Sequence, residues 1–315
     1  MSQDRRNDYD VTNTVQVSNP AAVRSAVQQL FAETFPGTSF DKLWLAFYDF
    51  ERLFTGRYPG YLGCDTTYHD MQHTLDMTLA LARLVSGYER SVEPHDRLGA
   101  ARAQMAIITS LFHDAGYIRH ETRDSEFING AEFTLHHVSR SADFLRRYLP
   151  ELGLARDVGV ASMIVHFTGY ELDLDDIELD DPRDVICGHL IGTADMIAQM
   201  ADRCYLEKCR DRLFSEFVVG GVAVETAWDH TVFAPGEIRT KTGGRYAVYT
   251  PFRNAWWARF EEAPRLAPTL SILNCPACSK VQPLLFDMAS KKYWALGGDI
   301  ADCWSVGKAV KKSEA

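Results

Sequence analysis

Residues 105–116 read MAIITSLFHDAG, an apolar run that ends in an adjacent histidine and aspartate. The run has the character of a buried helix, and the glycine after the pair lets the chain turn there. Ionisable side chains at the end of an apolar segment are costly to bury unless something pairs with them. Imidazoles and carboxylates together suit one or two divalent metal ions. This stretch therefore predicts a helical protein built around a polar centre at His113 and Asp114.

The same pattern recurs on both sides of this stretch. His73 lies in TYHDMQHTLDMTLALARLVSG (67–87), His137 in AEFTLHHVSRSADFLRRYL (131–149), His166 in SMIVHF (162–167) and Asp195 in ICGHLIGTADMIAQM (186–200). His69 stands four residues before His73 and shares a helix face with it. We expect these side chains to converge with His113 and Asp114 on one site.

Further residues are candidates for contacting a ligand or for orienting the groups that do. These are Tyr68, Glu132, His136, Gln199 and Arg119. Glu132 and His136 are close to His137 in sequence, and Gln199 follows Asp195 by one helical turn. Arg119 begins a basic trio with His120 and Arg123 that could meet a phosphate, although such a trio is also typical of a solvated loop.

Helical periodicity dominates the first two thirds of the chain and predicts an all-α fold. The expected helices cover residues 24–35, 39–54, 67–87, 96–113, 131–149, 156–167 and 184–217. Residues 1–20 carry few large apolar groups and are expected to be flexible, whereas residues 21–217 form the helical catalytic domain. Residues 218–315 are a less regular extension that packs on that domain or covers it, with a short strand in RYAVYTP (245–251).

Composition narrows the class of protein. The chain has 315 residues, 46% of them hydrophobic and 24% charged, with a formal net charge of -10. This balance predicts a globular cytoplasmic protein that binds neither a nucleic acid polymer nor a membrane. The chain has no excess of positive charge and no apolar segment long enough to span a membrane. The composition does not indicate an oligomeric state.

Three blocks resemble, in order, the His…His-Asp…Asp signature of the HD-domain metal-dependent phosphohydrolases. They are YHDMQH (68–73), FHDAGY (112–117) and TADM (193–196). The first is also similar to a histidine motif of the cyclic-nucleotide phosphodiesterases. Tyr117 departs from that pattern, which usually has a histidine there, and Asp70 replaces an asparagine. The resemblance covers about residues 40–215 and implies an HD-domain helical bundle.

The resemblance also implies roles for particular residues. His73, His113, Asp114 and Asp195 would bind a first metal ion, and Asp114 would bridge to a second one held by His137 and His166. His69 corresponds to the group that protonates the leaving oxygen, so His69 and Asp114 are the expected catalytic residues. The implied cofactors are two divalent ions from among Mn, Mg, Fe, Ni and Zn.

The expected function is a metal-dependent phosphohydrolase, a phosphodiesterase or phosphomonoesterase. A metal-activated water would hydrolyse a small anionic phosphoester, with a nucleotide or cyclic nucleotide as the substrate class. A di-iron HD-domain oxygenase is an alternative, because four imidazoles suit iron better than magnesium. A non-catalytic ligand-binding regulatory protein is a second alternative.

Overall fold

The computed structural model describes residues 7–222, 237–247, 249–262, 284–287 and 292–295. The chain divides into two compact units, Met1–Val224 and Glu225–Ala315. Each unit is described by itself below. Helices dominate the described residues, so the predicted all-α class is confirmed.

The first unit is built from helices joined by short loops and 3₁₀ turns. The helices are α1 (Pro20–Thr34), α2 (Asp41–Phe54), α3 (Met71–Ser91), α4 (Gly99–Leu111), α5 (His137–Glu151), α6 (Val158–Ile164), α7 (Pro182–Ala201), α8 (Tyr205–Lys208) and α9 (Phe214–Val219). A π-helical turn, Cys209–Leu213, joins α8 to α9.

The core lies where α3 packs against α4 and α7. Leu75, Leu79, Ile108 and Ile191 have no exposed surface there. Full burial of such a side chain stabilises the fold by about 1.5–3 kcal/mol. The helix α4 is buried over most of its length, as its apolar run predicts. The polar centre that follows α4 therefore begins inside the core.

Side-chain caps fix where α3 and α7 begin. The Asp70 carboxylate accepts the backbone N–H of His73 at 2.9 Å, and Asp181 accepts that of Arg183 at 2.9 Å. Such a cap typically stabilises a helix by about 1 kcal/mol. The cap at Asp70 sets the rotation of α3 and with it the direction of the His73 side chain.

Two predicted helices differ from those observed. The expected helix over 131–149 begins only at His137, because Gly130–Phe133 forms a 3₁₀ turn closed by a capping box between Asn129 and Glu132. The expected helix over 184–217 is interrupted at Asp202, whose backbone is extended (φ -65°, ψ 122°). This break separates α7 from α8.

Part of the segment 1–20, which is expected to be flexible, makes contacts within the first unit, while residues 1–6 lie outside the described residues. Asp10 is buried and accepts the backbone N–H groups of Thr14 and Val15 at 2.9 and 2.8 Å. Its carboxylate also accepts a hydrogen bond from Arg83 of α3 at 2.7 Å. Val17 is 1% exposed. Residues 10–17 are therefore fixed to the first unit by one buried carboxylate and one apolar side chain.

The second unit contains α10 (Tyr249–Glu262) and the strands β1 (Leu284–Asp287) and β2 (Lys292–Ala295). The strands pair antiparallel, with Leu284 opposite Ala295 and Asp287 opposite Lys292. The short strand predicted over 245–251 is wrong, since residues 245–247 are irregular and Tyr249 already begins α10, while Val248 lies outside the described residues. No helix in the described part of the chain is long and apolar enough to cross a membrane.

Candidate functional site: a buried histidine and carboxylate cluster at an aromatic cavity

His113 and Asp114 leave the end of α4 and are 1% and 2% exposed. The 3₁₀ turn Ala115–Tyr117 follows them and packs against the start of α5. Gly116 allows this contact, because a Cβ there would lie 1.8 Å from the carbonyl oxygen of His137. The glycine therefore brings the His-Asp pair and His137 close together.

Three further contacts define the cluster around Asp114. His113 Nε2 lies 3.1 Å and His73 Nε2 3.5 Å from Asp114 Oδ2. His73 Nε2 also lies 3.2 Å from Asp195 Oδ1. Donor atoms of His73, His113 and Asp114 all fall within 4.8 Å of one another, a spacing at which three ligands can share one metal ion. The structure thus brings together four of the six residues predicted as ligands.

Backbone carbonyls orient two of the imidazoles. His113 Nδ1 lies 2.8 Å from the Ser110 carbonyl, and His137 Nδ1 lies 2.7 Å from the Thr134 carbonyl. An Nδ1–H that donates to a carbonyl fixes the orientation of the ring and points Nε2 away from the backbone. Both Nε2 atoms are therefore presented toward Asp114.

His137 and His166 occupy different places. His137 Nε2 lies 3.9 Å from Asp114 Oδ1, at the margin of the cluster. His166 is 6% exposed in the 3₁₀ turn Val165–Thr168 and is not a member of the donor group found among the described residues. Its Nδ1 makes no hydrogen bond with the described part of the chain.

The charges of the cluster shift the pKa values of its members in opposite directions. Burial lowers the pKa of His113, but the adjacent Asp114 outweighs it and raises that pKa to about 9. Burial raises the pKa of Asp114, but His113 and His69 hold it well below the usual carboxyl range. The pKa of His137 is lowered by burial. At neutral pH the cluster therefore holds ionised carboxylate beside protonated and neutral imidazoles.

Glu216 of α9 is a member of the site that the sequence did not indicate. Its carboxylate is 3% exposed and contacts His69 Nδ1. It also accepts the backbone N–H groups of Thr67 and Tyr68 at 3.0 and 2.8 Å. Burial lowers the pKa of His69, but Asp114 and Glu216 outweigh it and raise the pKa overall. Glu216 therefore fixes both the position and the charge of His69.

A stack of three rings lies beside the cluster. Tyr117 packs face to face with His69 at 4.5 Å between ring centroids and with His137 at 4.3 Å. The centroids of His69 and His137 are themselves 6.0 Å apart, so both imidazoles pack against the tyrosine that replaces the histidine of the phosphodiesterase pattern.

The stack opens into a cavity of about 510 Å³. Its walls are predominantly apolar, and six of the lining residues are aromatic. The residues that line it are Tyr68, His69, Tyr117, Thr134, Leu135, His137, Phe167, Thr168, Gly169, Tyr170, Glu171, Gly192, Asp195, Met196, Gln199, Tyr205, Leu213, Phe217 and Val222. We call this space the aromatic cavity.

Two of the residues predicted to contact or orient a ligand line this cavity. Tyr68 donates its hydroxyl hydrogen to Gln199 Oε1 at 3.1 Å, and Gln199 Nε2 donates to Asp195 Oδ1 at 2.9 Å. This chain of hydrogen bonds fixes the amide of Gln199 between the cavity and the cluster.

The other three have local structural contacts and do not line the aromatic cavity. Glu132 accepts the backbone N–H groups that close its capping box. The ring of His136 packs against Phe133 at 5.6 Å between ring centroids. Arg119 donates to Asp65 at 2.7 Å and to the Phe127 carbonyl at 2.7 Å.

Among protein families, the DNA photolyase family matches residues 178–270 of this chain. The matched segment is less than a third of the chain, and it includes α7, α8 and α9. No curated protein and no solved structure matches the chain. The similarity is thus confined to the segment that supplies Asp195, Gln199 and Glu216.

This match corrects the family and function expected from the sequence. DNA photolyases are a different family from the HD-domain phosphohydrolases, so that resemblance and the phosphodiesterase-like assignment are contradicted. The predicted phosphoester hydrolysis is contradicted with them, as are its oxygenase and regulatory alternatives. The two divalent metal cofactors, the small phosphoester substrate and the absence of a nucleic acid partner are contradicted by the same match. The motifs predicted the wrong family because ionisable side chains at these spacings are enough to form a buried cluster. Such a cluster does not by itself specify a reaction.

Proposed function

We propose that this chain acts on DNA and that the aromatic cavity receives a base extruded from the strand. Enzymes that act on a base take it out of the stack into a pocket, where aromatic side chains stack on it and hydrogen bonds read its edge. The observation that carries the proposal is the aromatic cavity itself, one wall of which belongs to the segment similar to the DNA photolyase family.

The size and lining of the cavity support an aromatic ligand. Its volume of about 510 Å³ is within the range of about 300–1,000 Å³ typical of ligand sites. Tyr170 stands at the cavity with 96% of its surface exposed, and Tyr117, Phe167 and Phe217 lie in the walls. Stacking on an aromatic side chain contributes about 1–3 kcal/mol per base. A flat heteroaromatic ring therefore gains more from this cavity than an aliphatic ligand of equal size.

Gln199 supplies the polar recognition. Its amide uses one hydrogen for Asp195 and accepts from Tyr68, which leaves one N–H and one lone pair of the oxygen for a ligand. An amide with one donor and one acceptor side by side matches the edge of a nucleobase. We propose that Gln199 reads the base.

The net charge of -10 limits the electrostatic contribution to DNA binding. An acidic protein gains little from releasing counterions at phosphates, so stacking supplies most of the binding free energy. We therefore expect a preference for single-stranded or distorted DNA, whose bases are already unstacked.

Fluorescence anisotropy with a labelled single-stranded oligonucleotide tests the proposal. Replacing the exposed ring in Tyr170→Ala should weaken binding by about 5- to 150-fold, since about 1–3 kcal/mol of stacking is lost. Tyr48→Ala is the matched control, because Tyr48 is 46% exposed on α2 and does not line the cavity. Equal affinities of the wild type and Tyr170→Ala, or no binding of DNA at all, would contradict the proposal.

We further propose that His73, His113, Asp114 and Asp195 act as one ionic cluster beside the aromatic cavity, a role that rests on geometry rather than on family. His113 Nε2 lies 3.1 Å from Asp114 Oδ2, and His73 Nε2 lies 3.2 Å from Asp195 Oδ1. Asp195 lines the cavity, so the cluster forms part of its wall. Breaking a buried charged pair from one side costs about 3–5 kcal/mol. Urea unfolding of His113→Ala against the exposed control His95→Ala tests this: a loss of that size in His113→Ala alone supports the cluster, and equal stability of the two variants contradicts it.

A further inference from the structure

A second cavity lies on the other side of the turn that carries Tyr117. It is a cleft of about 400 Å³ between residues 115–124 and α5. Ala115, Gly116 and Ile118 form its floor, and Arg123, Arg146 and Arg147 are among the residues that line it. We call it the arginine cleft.

The charges along the cleft do not cancel. Arg140 is paired with Asp124 at 2.7 Å, and Arg146 is paired with Asp143 at 2.6 Å. These two pairs are neutral overall. The two arginines that remain, Arg123 and Arg147, leave the lining with two excess positive charges in a protein whose net charge is -10.

Neither of these two guanidinium groups is neutralised by a carboxylate of the described residues. Arg147 donates to the hydroxyl of Tyr61 at 3.0 Å, a neutral acceptor that holds the side chain without cancelling its charge. Arg123 donates a hydrogen bond through its backbone N–H to His120 Nδ1 at 3.4 Å. Both side chains are exposed, so a ligand from solvent can reach them.

The floor of the cleft is rigid. Arg140 donates to the Gly116 carbonyl at 2.7 Å as well as to Asp124, and Asp124 in turn accepts the backbone N–H of His120 at 2.8 Å. His120 Nδ1 accepts the backbone N–H of Thr122 at 3.2 Å. These bonds hold the backbone around the cleft in place, while the side chains of Arg123 and Arg147 remain exposed to solvent.

We propose that the arginine cleft binds a phosphate group, with Arg123 and Arg147 as its principal ligands. Guanidinium groups match phosphate oxygens in pairs, and charge-assisted hydrogen bonds of this kind are stronger than neutral ones. The phosphate belongs either to a nucleic acid strand or to a free phosphate ion. This site is separate from the aromatic cavity and does not depend on what that cavity binds.

Isothermal titration calorimetry with inorganic phosphate tests the site. The double variant R123Q/R147Q should weaken phosphate binding at least tenfold, whereas R97Q, which removes an exposed arginine outside the cleft, should leave it unchanged. Circular dichroism and thermal unfolding check that both variants are folded. Failure of the wild type to bind phosphate saturably, or an unchanged affinity in R123Q/R147Q, would overturn the proposal.

A second arm distinguishes the source of the phosphate. If it belongs to a strand, R123Q/R147Q also weakens binding of a short single-stranded oligonucleotide and reduces the salt dependence of that binding. If the site takes the free ion, oligonucleotide binding is unchanged while phosphate binding falls. Tyr170→Ala should not change the affinity for inorganic phosphate, so the proposals for the arginine cleft and the aromatic cavity can be refuted independently of each other.

Discussion

Replacing Glu216 by alanine tests whether this residue holds the site together. The change removes a buried carboxylate that accepts two backbone N–H groups, of Thr67 and Tyr68, and contacts His69. Each buried donor left unpaired costs about 1–3 kcal/mol, and breaking a buried charged pair from one side costs about 3–5 kcal/mol. We expect Glu216→Ala to lower the free energy of unfolding by about 3–5 kcal/mol, because the losses overlap at one side chain.

Urea unfolding followed by circular dichroism at neutral pH measures this loss. Glu216→Gln keeps the shape and one acceptor oxygen, so we expect a smaller loss, about 1–2 kcal/mol. The exposed Glu126 provides the control, since Glu126→Ala should change stability by less than about 0.5 kcal/mol. An unfolding free energy of Glu216→Ala within that margin of the wild type would refute the role given to Glu216.

The pH dependence of this effect has a definite sign. Burial raises the pKa of Glu216, but its bond with His69 outweighs burial and lowers the pKa in the folded state. The stabilisation is therefore present at neutral pH and is lost as the pH falls below the ordinary carboxyl range. The difference between the wild type and Glu216→Ala should narrow accordingly in acid.

Three other predictions follow from local geometry. Gly116→Ala places a Cβ 1.8 Å from the His137 carbonyl oxygen and should lower the free energy of unfolding by at least about 1–3 kcal/mol. Urea unfolding measures this loss, and a variant as stable as the wild type would contradict the close packing. Asp10→Asn should lower the unfolding free energy by about 1.5–3 kcal/mol at neutral pH and by much less in acid, because hydrogen bonds, including one from Arg83, lower the pKa of Asp10 in spite of burial. An equal effect at both pH values would show that the charge of Asp10 is not what stabilises the N-terminal segment. An NMR titration of His113 should give a pKa of about 9 in protein freed of metal, and an ordinary histidine pKa would contradict the proximity of its ring to Asp114.

Local sequence patterns predicted the helical core well. The apolar run before His113 and the four-residue spacing of His69 and His73 depend on neighbours in the chain, and the helices α3 and α4 follow them closely. The convergence of His73, His113, Asp114 and Asp195 was also predictable, because burying each of these groups alone would be costly.

The sequence carries a signal for the 3₁₀ turn that precedes α5. Asn129 and Glu132 have the spacing of a capping box, which marks the beginning of that turn. Glu132 was instead predicted to orient a metal ligand. The local hydrogen bond to backbone N–H groups satisfies this carboxylate within its own turn, so it is not free to reach His137.

Other parts of the site depend on contacts between distant segments. Glu216 meets His69 across 147 positions, and no periodic signal in the six residues of α9 marks its single glutamate as part of a site. The aromatic cavity draws its walls from several separate stretches, from Tyr68 and Tyr117 to Gln199 and Phe217. Such long-range packing cannot be read from spacing along the chain.

Entry of a DNA base into the aromatic cavity can be measured directly with 2-aminopurine, a fluorescent base whose emission depends on stacking. We predict that a single-stranded oligonucleotide carrying this base changes its emission saturably when the wild-type protein is added. Tyr170→Ala should need a higher protein concentration for the same change, and Tyr48→Ala should behave as the wild type. An oligonucleotide that binds by anisotropy without any change in 2-aminopurine emission would contradict the placement of the base in the cavity.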